Sequence, residues 1–238
     1  MSINWKEYRT LFHFPLPLAL IAIVTYGAVV SPTIHINRLA ITYLLILFGL
    51  VFAAYSFDAM YADWRPMIKN IKQSTLWLIA IVGISGFASI ATYAIIKTSF
   101  YGIIVAVLLM FFIVAYNLEI PKWIHNKYGF AISWGSLAII GSYYYQTLTV
   151  DWMYIPLFIT GFLIALQEWY TSNTHSPIQE NISKLKHWHN AFNNTTFVVV
   201  GDIEVSRKIV RKETFRITSL FCYTNFAIAM MLLMWRLS

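Results

Sequence analysis

Seven apolar stretches of about 20 residues recur along this chain, each long enough for a helix to cross the hydrocarbon core of a bilayer. They lie near 14–30, 39–61, 75–96, 100–117, 130–147, 152–169 and 217–235. Little is left for anything else. Of 238 residues 59% are hydrophobic and 11% charged, where a soluble domain carries roughly 25% charged residues. Mean hydropathy is +0.63. These values exclude a soluble enzyme, a disulfide-built secreted scaffold and a disordered regulator. The sequence therefore predicts an all-α, polytopic membrane helical bundle of about seven transmembrane helices, a single membrane domain over 1–238. The first run is full length with no small-residue cleavage site behind it, so no cleavable signal peptide is expected. The one cysteine, Cys222, has no partner for an internal disulfide.

Charge sets the orientation. With the N-terminus inside, fourteen of the 17 Lys and Arg residues fall on inner segments, and Arg38, Lys97 and Arg236 remain outside. The positive-inside rule then gives an N-in, C-out topology, in the cell (plasma) membrane. On this reading the net charge of +7 belongs to cytoplasmic loops and not to a nucleic-acid site. Of the ten acidic residues only Asp151 lies outside. A polar site open to the cytoplasm accounts for that bias; outer loops too short to hold charge account for it equally well.

The inner segment 170–216 is the sizeable extramembrane piece. Ile178, Ile182, Leu185, Trp188 and Phe192 recur at helical spacing opposite Lys184 and Lys186, which predicts an amphipathic helix on the inner leaflet. FVVVGDIEV (197–205) reads as a short hairpin turning at Gly201, and 203–216 as a basic helix feeding the last span. His187 and His189 have H-x-H spacing, far short of a metal signature. The last span holds no lysine, which excludes a retinal Schiff base of the seven-helix kind.

Three places carry polar chemistry at inner span ends. In AAYSFDAMYADWRPM (53–67), Asp58 sits about a turn inside the boundary, where an ionisable group needs a cavity, partner or cation. Asp63 follows, and Arg65-Pro66 ends the helix nearby. Two such carboxylates can hold Mg²⁺, and Mg²⁺ a diphosphate; an Asp58–Arg pair with Asp63 in a solvated loop is the plainer alternative. In AYNLEIPKWIH (115–125), Tyr116, Asn117 and Glu119 present polar atoms, and Lys122 and His125 donors for an anion. At the end of span 6, Gln167 and Glu168 enter the boundary together, as a second face of a cation site or as interfacial residues in water. Gly135, Gly141, Ser133, Ser136 and Ser142 in span 5 are small residues that let helices approach closely.

In their order and spacing these segments resemble the UbiA superfamily of intramembrane prenyltransferases. The likeness covers roughly 6–175: a basic aromatic lead into span 1 (KEYRTLFHFPLPLALIAIVTYGAVVSP, 6–32), an aspartate-bearing end of span 2 (AYSFDAMYADW, 54–64), and AYNLEIPKWIHNKYGFAISWGSLAIIG (115–141). It implies a UbiA-like helical bundle that binds a prenyl diphosphate through Mg²⁺ and passes the isoprenoid chain to a small or lipid acceptor. On that resemblance Asp58, Asp63 and Glu168 are the catalytic and metal-binding residues. Arg65, Tyr116, Asn117, Glu119, Lys122, His125 and Gln167 line the substrate site. Ala54 and Ala62 stand where the family's first motif has polar residues, and Glu168 is the sole acid of its second. Those departures favour a second class of function, a non-catalytic isoprenoid-binding protein or accessory subunit of a membrane complex. A small transporter is the third, though the paired repeats and midplane helix breaks of transporters are not evident.

Overall fold

In lipid every backbone amide and carbonyl must be satisfied within the chain, so long apolar runs become helices. The computed structural model describes residues 16–61, 71–96, 103–104, 107–108, 111–112, 115–116, 124, 126–173 and 197–238, with the backbone alone at 16, 58, 61, 171–173 and 197–216. Everything regular among these residues is helical. Helix α1 is Leu16–Val30, with Pro17 in its first turn, where the missing amide has no intrahelical partner to lose. Helix α2 runs in three continuous pieces, Ile36–Ile46, a π-helical Leu47–Ala54, and Tyr55–Tyr61. Helix α3 is Gln73–Ile96. Helix α4 joins Lys127–Phe130, a second π-helical piece Ala131–Ser136, and Leu137–Thr147. Helix α5 is Tyr154–Asn173 and α6 is Phe197–Leu237. The described pairs between 103 and 116 are also helical.

Among the described residues three stretches are long and apolar enough to cross a membrane: Ile36–Phe57, Gln73–Ile96 and Ile217–Leu237. Their outward faces carry Leu78, Ile81 and Val82 on α3 and Leu220, Tyr223, Met231 and Trp235 on α6. An apolar exterior of that extent is unsuited to water and matches lipid.

Helix α1 sits against α4 and α6 and also touches α2, while α2 packs on α3, α4 on α5, and α5 on α6. Polar side chains bridge these contacts. Thr25 of α1 meets the Tyr43 hydroxyl of α2 at 2.8 Å, and the Tyr26 hydroxyl donates to the Asn225 carbonyl of α6 at 3.0 Å. Ser142 of α4 donates to the Val24 carbonyl at 2.6 Å, and Ser136 to the Phe158 carbonyl of α5 at 2.9 Å. Gly135 and Gly161 face each other so closely that a Cβ on either meets the other's carbonyl. The small residues of span 5 therefore serve helix contact, as their type suggests.

Two ends of the bundle can be told apart. At one, Arg38 donates to the Tyr145 and Gln146 carbonyls (3.3 and 2.8 Å), the His35 amide donates to Gln146 Oε1 (2.7 Å), and Arg236 donates to the Ser31 and Pro32 carbonyls (2.7 and 3.1 Å). This is the His35 end. The other holds the start of α4 and the end of α5, and is the Lys127 end.

Several expectations change. The 197–205 hairpin does not form; α6 is one helix of 41 residues from Phe197. An isolated two-stranded hairpin is marginal, whereas extending a helix already nucleated by the last span adds a hydrogen bond per residue. Helix α5 also continues to Asn173, beyond the expected end at 169. The predicted surface helix at 178–192 and the histidines within it lie outside the described residues.

Candidate functional site

Helices α1, α2, α3 and α4, with Phe112, border a partly open cavity of about 120 Å³. Its wall is apolar, built from Leu20 and Val24, Ile46 and Leu50, Phe87 and Ala91, and Phe112. Thr42, Ser133, Ser142, Trp134, Tyr144 and Tyr145 add the few polar groups. Thr42 and Ser142 spend their hydroxyls on the carbonyls of Arg38 (3.0 Å) and Val24 (2.6 Å), and Ser133 on that of Gly129 (2.7 Å). The chemistry left facing the space is hydrocarbon and aromatic ring. An apolar cavity of ~150 Å³ stays dry and accepts a benzene-sized guest. This one has room for an apolar group of about that size.

Both π-helical pieces contribute, the first through Gly49 and Leu50 and the second through Ser133 and Trp134. Their wider turns close with i→i−5 bonds, Tyr55 N–H to the Leu50 carbonyl and Leu137 N–H to the Ile132 carbonyl. Such turns are rare and frequently mark functional sites. Gly83 of α3 lies against the backbone of the first, where a Cβ would come 2.5 Å from the Ala53 nitrogen.

Asp58 lies eight residues past Leu50 on α2, about 12 Å along the helix axis, in the piece that packs on α3. Its side chain, and Asp63, Arg65, Asn117, Glu119, Lys122 and His125, lie outside the described residues. Tyr116 is buried, its ring 5.9 Å from that of Phe130. Gln167 and Glu168 part company: successive helical residues point about 100° apart, so Gln167 is exposed while Glu168 is 3% exposed. Glu168 Oε1 accepts from the Cys222 thiol at 3.7 Å, joining α5 to α6. Mg²⁺ wants several hard oxygens and keeps water in its shell. Among the described residues no three His, Cys, Asp or Glu side chains gather, and Glu168, the described member of the expected metal set, joins two helices through Cys222.

The sequence reading missed the residues that shape the cavity, among them Thr42, Trp134, Tyr144 and Tyr145. It also missed the Arg38–Gln146 closure at the His35 end. A signal was present: an Arg at the start of one span and a Gln at the end of another, both at the same membrane boundary, can meet. At the Lys127 end, Lys127 Nζ donates to the Tyr170 hydroxyl at 2.7 Å, and that bond raises the ammonium above its ordinary pKa.

No protein-family model, curated protein or solved structure matches this chain.

Proposed function

We propose that this chain is a UbiA-like membrane prenyltransferase, which takes the isoprenoid chain of a prenyl diphosphate into the cavity and passes it to a small or lipid acceptor. The observation that supports this most is the cavity itself: apolar, aromatic-walled, and lined by the helix that carries Asp58 at its far end. The cavity is the size of about one isoprene unit, so the rest of a longer chain runs between the helices. In the transfer the allylic C–O bond breaks, the diphosphate leaves with the electron pair, and the acceptor's nucleophile bonds to the allylic carbon. Aromatic faces at Phe87, Trp134 and Tyr144 would pack against the apolar end of the chain, away from the diphosphate. Asp58 and Asp63 would hold Mg²⁺, which neutralises the leaving diphosphate; Arg65 and Lys122 would contact its oxygens. The orientation is N-in, C-out across the plasma membrane by the charge count, with the diphosphate on the cytoplasmic side.

A second reading keeps the cavity and drops the chemistry: an isoprenoid-binding protein or an accessory subunit of a membrane complex. The Glu168–Cys222 contact favours it, because a carboxylate committed to a helix interface is lost to a cation.

The experiment that separates them is thermal unfolding of the purified protein titrated with geranylgeranyl diphosphate, with and without Mg²⁺, beside Asp58→Ala. A ligand of the folded state raises apparent stability by mass action, by about 2.7 kcal/mol at a hundredfold excess over Kd. A Mg²⁺-dependent rise that Asp58→Ala abolishes supports transfer. A rise indifferent to both, and equalled by geranylgeraniol, supports binding alone. No rise with either ligand overturns transfer and leaves the accessory-subunit reading.

A further inference from the structure

We propose that the surface cluster of Lys127, Tyr128 and Tyr170, where α4 and α5 meet at the Lys127 end, binds the phosphate of an anionic membrane lipid. The site is built from the backbone up. Asn126 caps α4, its Oδ1 accepting from the Tyr128 and Gly129 amides at 2.8 and 3.0 Å, which fixes how residues 127 and 128 leave the helix start. Lys127 is thereby set across from Tyr170 of α5, its Nζ 2.7 Å from the hydroxyl and 5.0 and 5.2 Å from the ring centroids of Tyr128 and Tyr170. One turn of ladder continues below: the Tyr128 ring lies parallel to Phe162, 6.5 Å away at 7°. Phe162 is two helical turns before Tyr170 on α5.

Charge decides the occupant. Among the described residues Lys127 has no carboxylate partner. An ammonium has three N–H donors; the Tyr170 hydroxyl takes one at 2.7 Å and the Tyr128 hydroxyl draws on a second. Both phenols accept from Lys127, so their own O–H groups can donate. A third N–H and these hydroxyls therefore lie at a surface where Tyr128 and Tyr170 are 54% and 51% exposed. A phosphate oxygen suits those donors. The stacked Tyr128–Phe162 pair beneath suits an acyl chain, as amphipathic rings do at a bilayer interface. Water-soluble anions use the donors alone; a phospholipid uses both. Placed on the cytoplasmic leaflet, the cluster faces the side where anionic lipids concentrate.

The test is native mass spectrometry of the full chain with phosphatidylglycerol or phosphatidylcholine at equal concentrations, for wild type, Lys127→Gln, Tyr170→Phe and Lys72→Gln. One interfacial Lys contributes about a fivefold change in affinity for an anionic surface. Wild type is expected to retain phosphatidylglycerol over phosphatidylcholine. Lys127→Gln should weaken phosphatidylglycerol about fivefold and phosphatidylcholine less, with a smaller loss for Tyr170→Phe. Lys72→Gln, exposed at the same end of the bundle, should lose less than Lys127→Gln does, and an equal loss overturns the proposal. Equal retention of the two lipids by wild type, or full retention by Lys127→Gln, overturns the proposal, as does displacement of phosphatidylglycerol by inorganic phosphate. Should Lys127→Gln not purify folded, Tyr170→Phe decides by the same criterion.

Discussion

Arg38 has two jobs at one place. Helix α4 ends at Leu148, whose φ of 57° is left-handed, a conformation that costs a residue with a Cβ about 1–2 kcal/mol. The last carbonyls of any helix lack partners, and Arg38 supplies two hydrogen bonds to them while its charge meets the negative end of the helix dipole. Arg38→Ala should therefore lower stability by about 2 kcal/mol, read as a fall in the detergent melting temperature. A melting curve that overlays the wild type would show the closure to be idle. Ser142 makes a smaller claim. Its bond to the Val24 carbonyl is buried, and interhelical bonds of this kind average near 0.6 kcal/mol in a membrane. Ser142→Ala should cost about that, and a loss several times larger would mean the hydroxyl has a further role in the cavity.

Among the elements, α4 and α5 make a close backbone contact, because Gly135 and Gly161 bring the two backbones together. Gly161→Val drives a branched side chain into the Gly135 carbonyl, and overpacking of that kind costs about 1–3 kcal/mol. It should also separate the helices that place Glu168 and Trp134. The measurement is the melting temperature with Cys222 reactivity toward a maleimide: the thiol is buried in wild type and should become reactive if α5 shifts. Continued silence of Cys222 in a destabilised variant would localise the damage elsewhere. The extension of α6 gives a second test. Glycine within a helix costs about 1 kcal/mol relative to alanine, so Gly201→Ala should stabilise α6 and raise helicity. At a hairpin turn the same change would destabilise, and that result would restore the strand reading.

For the whole molecule, a bundle spanning the membrane must show its two ends to different compartments. Cys222 is the one cysteine and is buried, so a single introduced cysteine reports cleanly. His35→Cys should react with an impermeant maleimide added to intact cells, and Lys72→Cys only after lysis. The reverse pattern would turn the topology over. How much of this was legible beforehand follows from what each feature depends on. The helices were legible because an apolar run in lipid has few alternatives, and Thr147 and Ile96 end helices where the runs stop. The small residues of span 5 were legible for the same reason, since size alone lets backbones meet. The π-helical pieces left no mark, as LFGLVFAA and AISWGS read as ordinary apolar helix. The cavity needs four helices at once, and the Glu168–Cys222 contact joins residues 54 apart in sequence, so neither lies in any local pattern. Gln167 and Glu168 are neighbours in sequence but point apart on the helix, Gln167 outward and Glu168 inward, which adjacency alone does not show.

The central claim is that an isoprenoid chain occupies the space between α1, α2, α3 and α4. The most direct measurement is photolabelling with a diazirine-bearing geranylgeranyl diphosphate, followed by peptide mass spectrometry. Adducts on the cavity wall, at Phe87, Trp134 or Tyr144, that excess unlabelled ligand suppresses are the predicted result. Labelling confined to the outward residues of α3 and α6, such as Leu78 and Tyr223, and unaffected by competitor would contradict it.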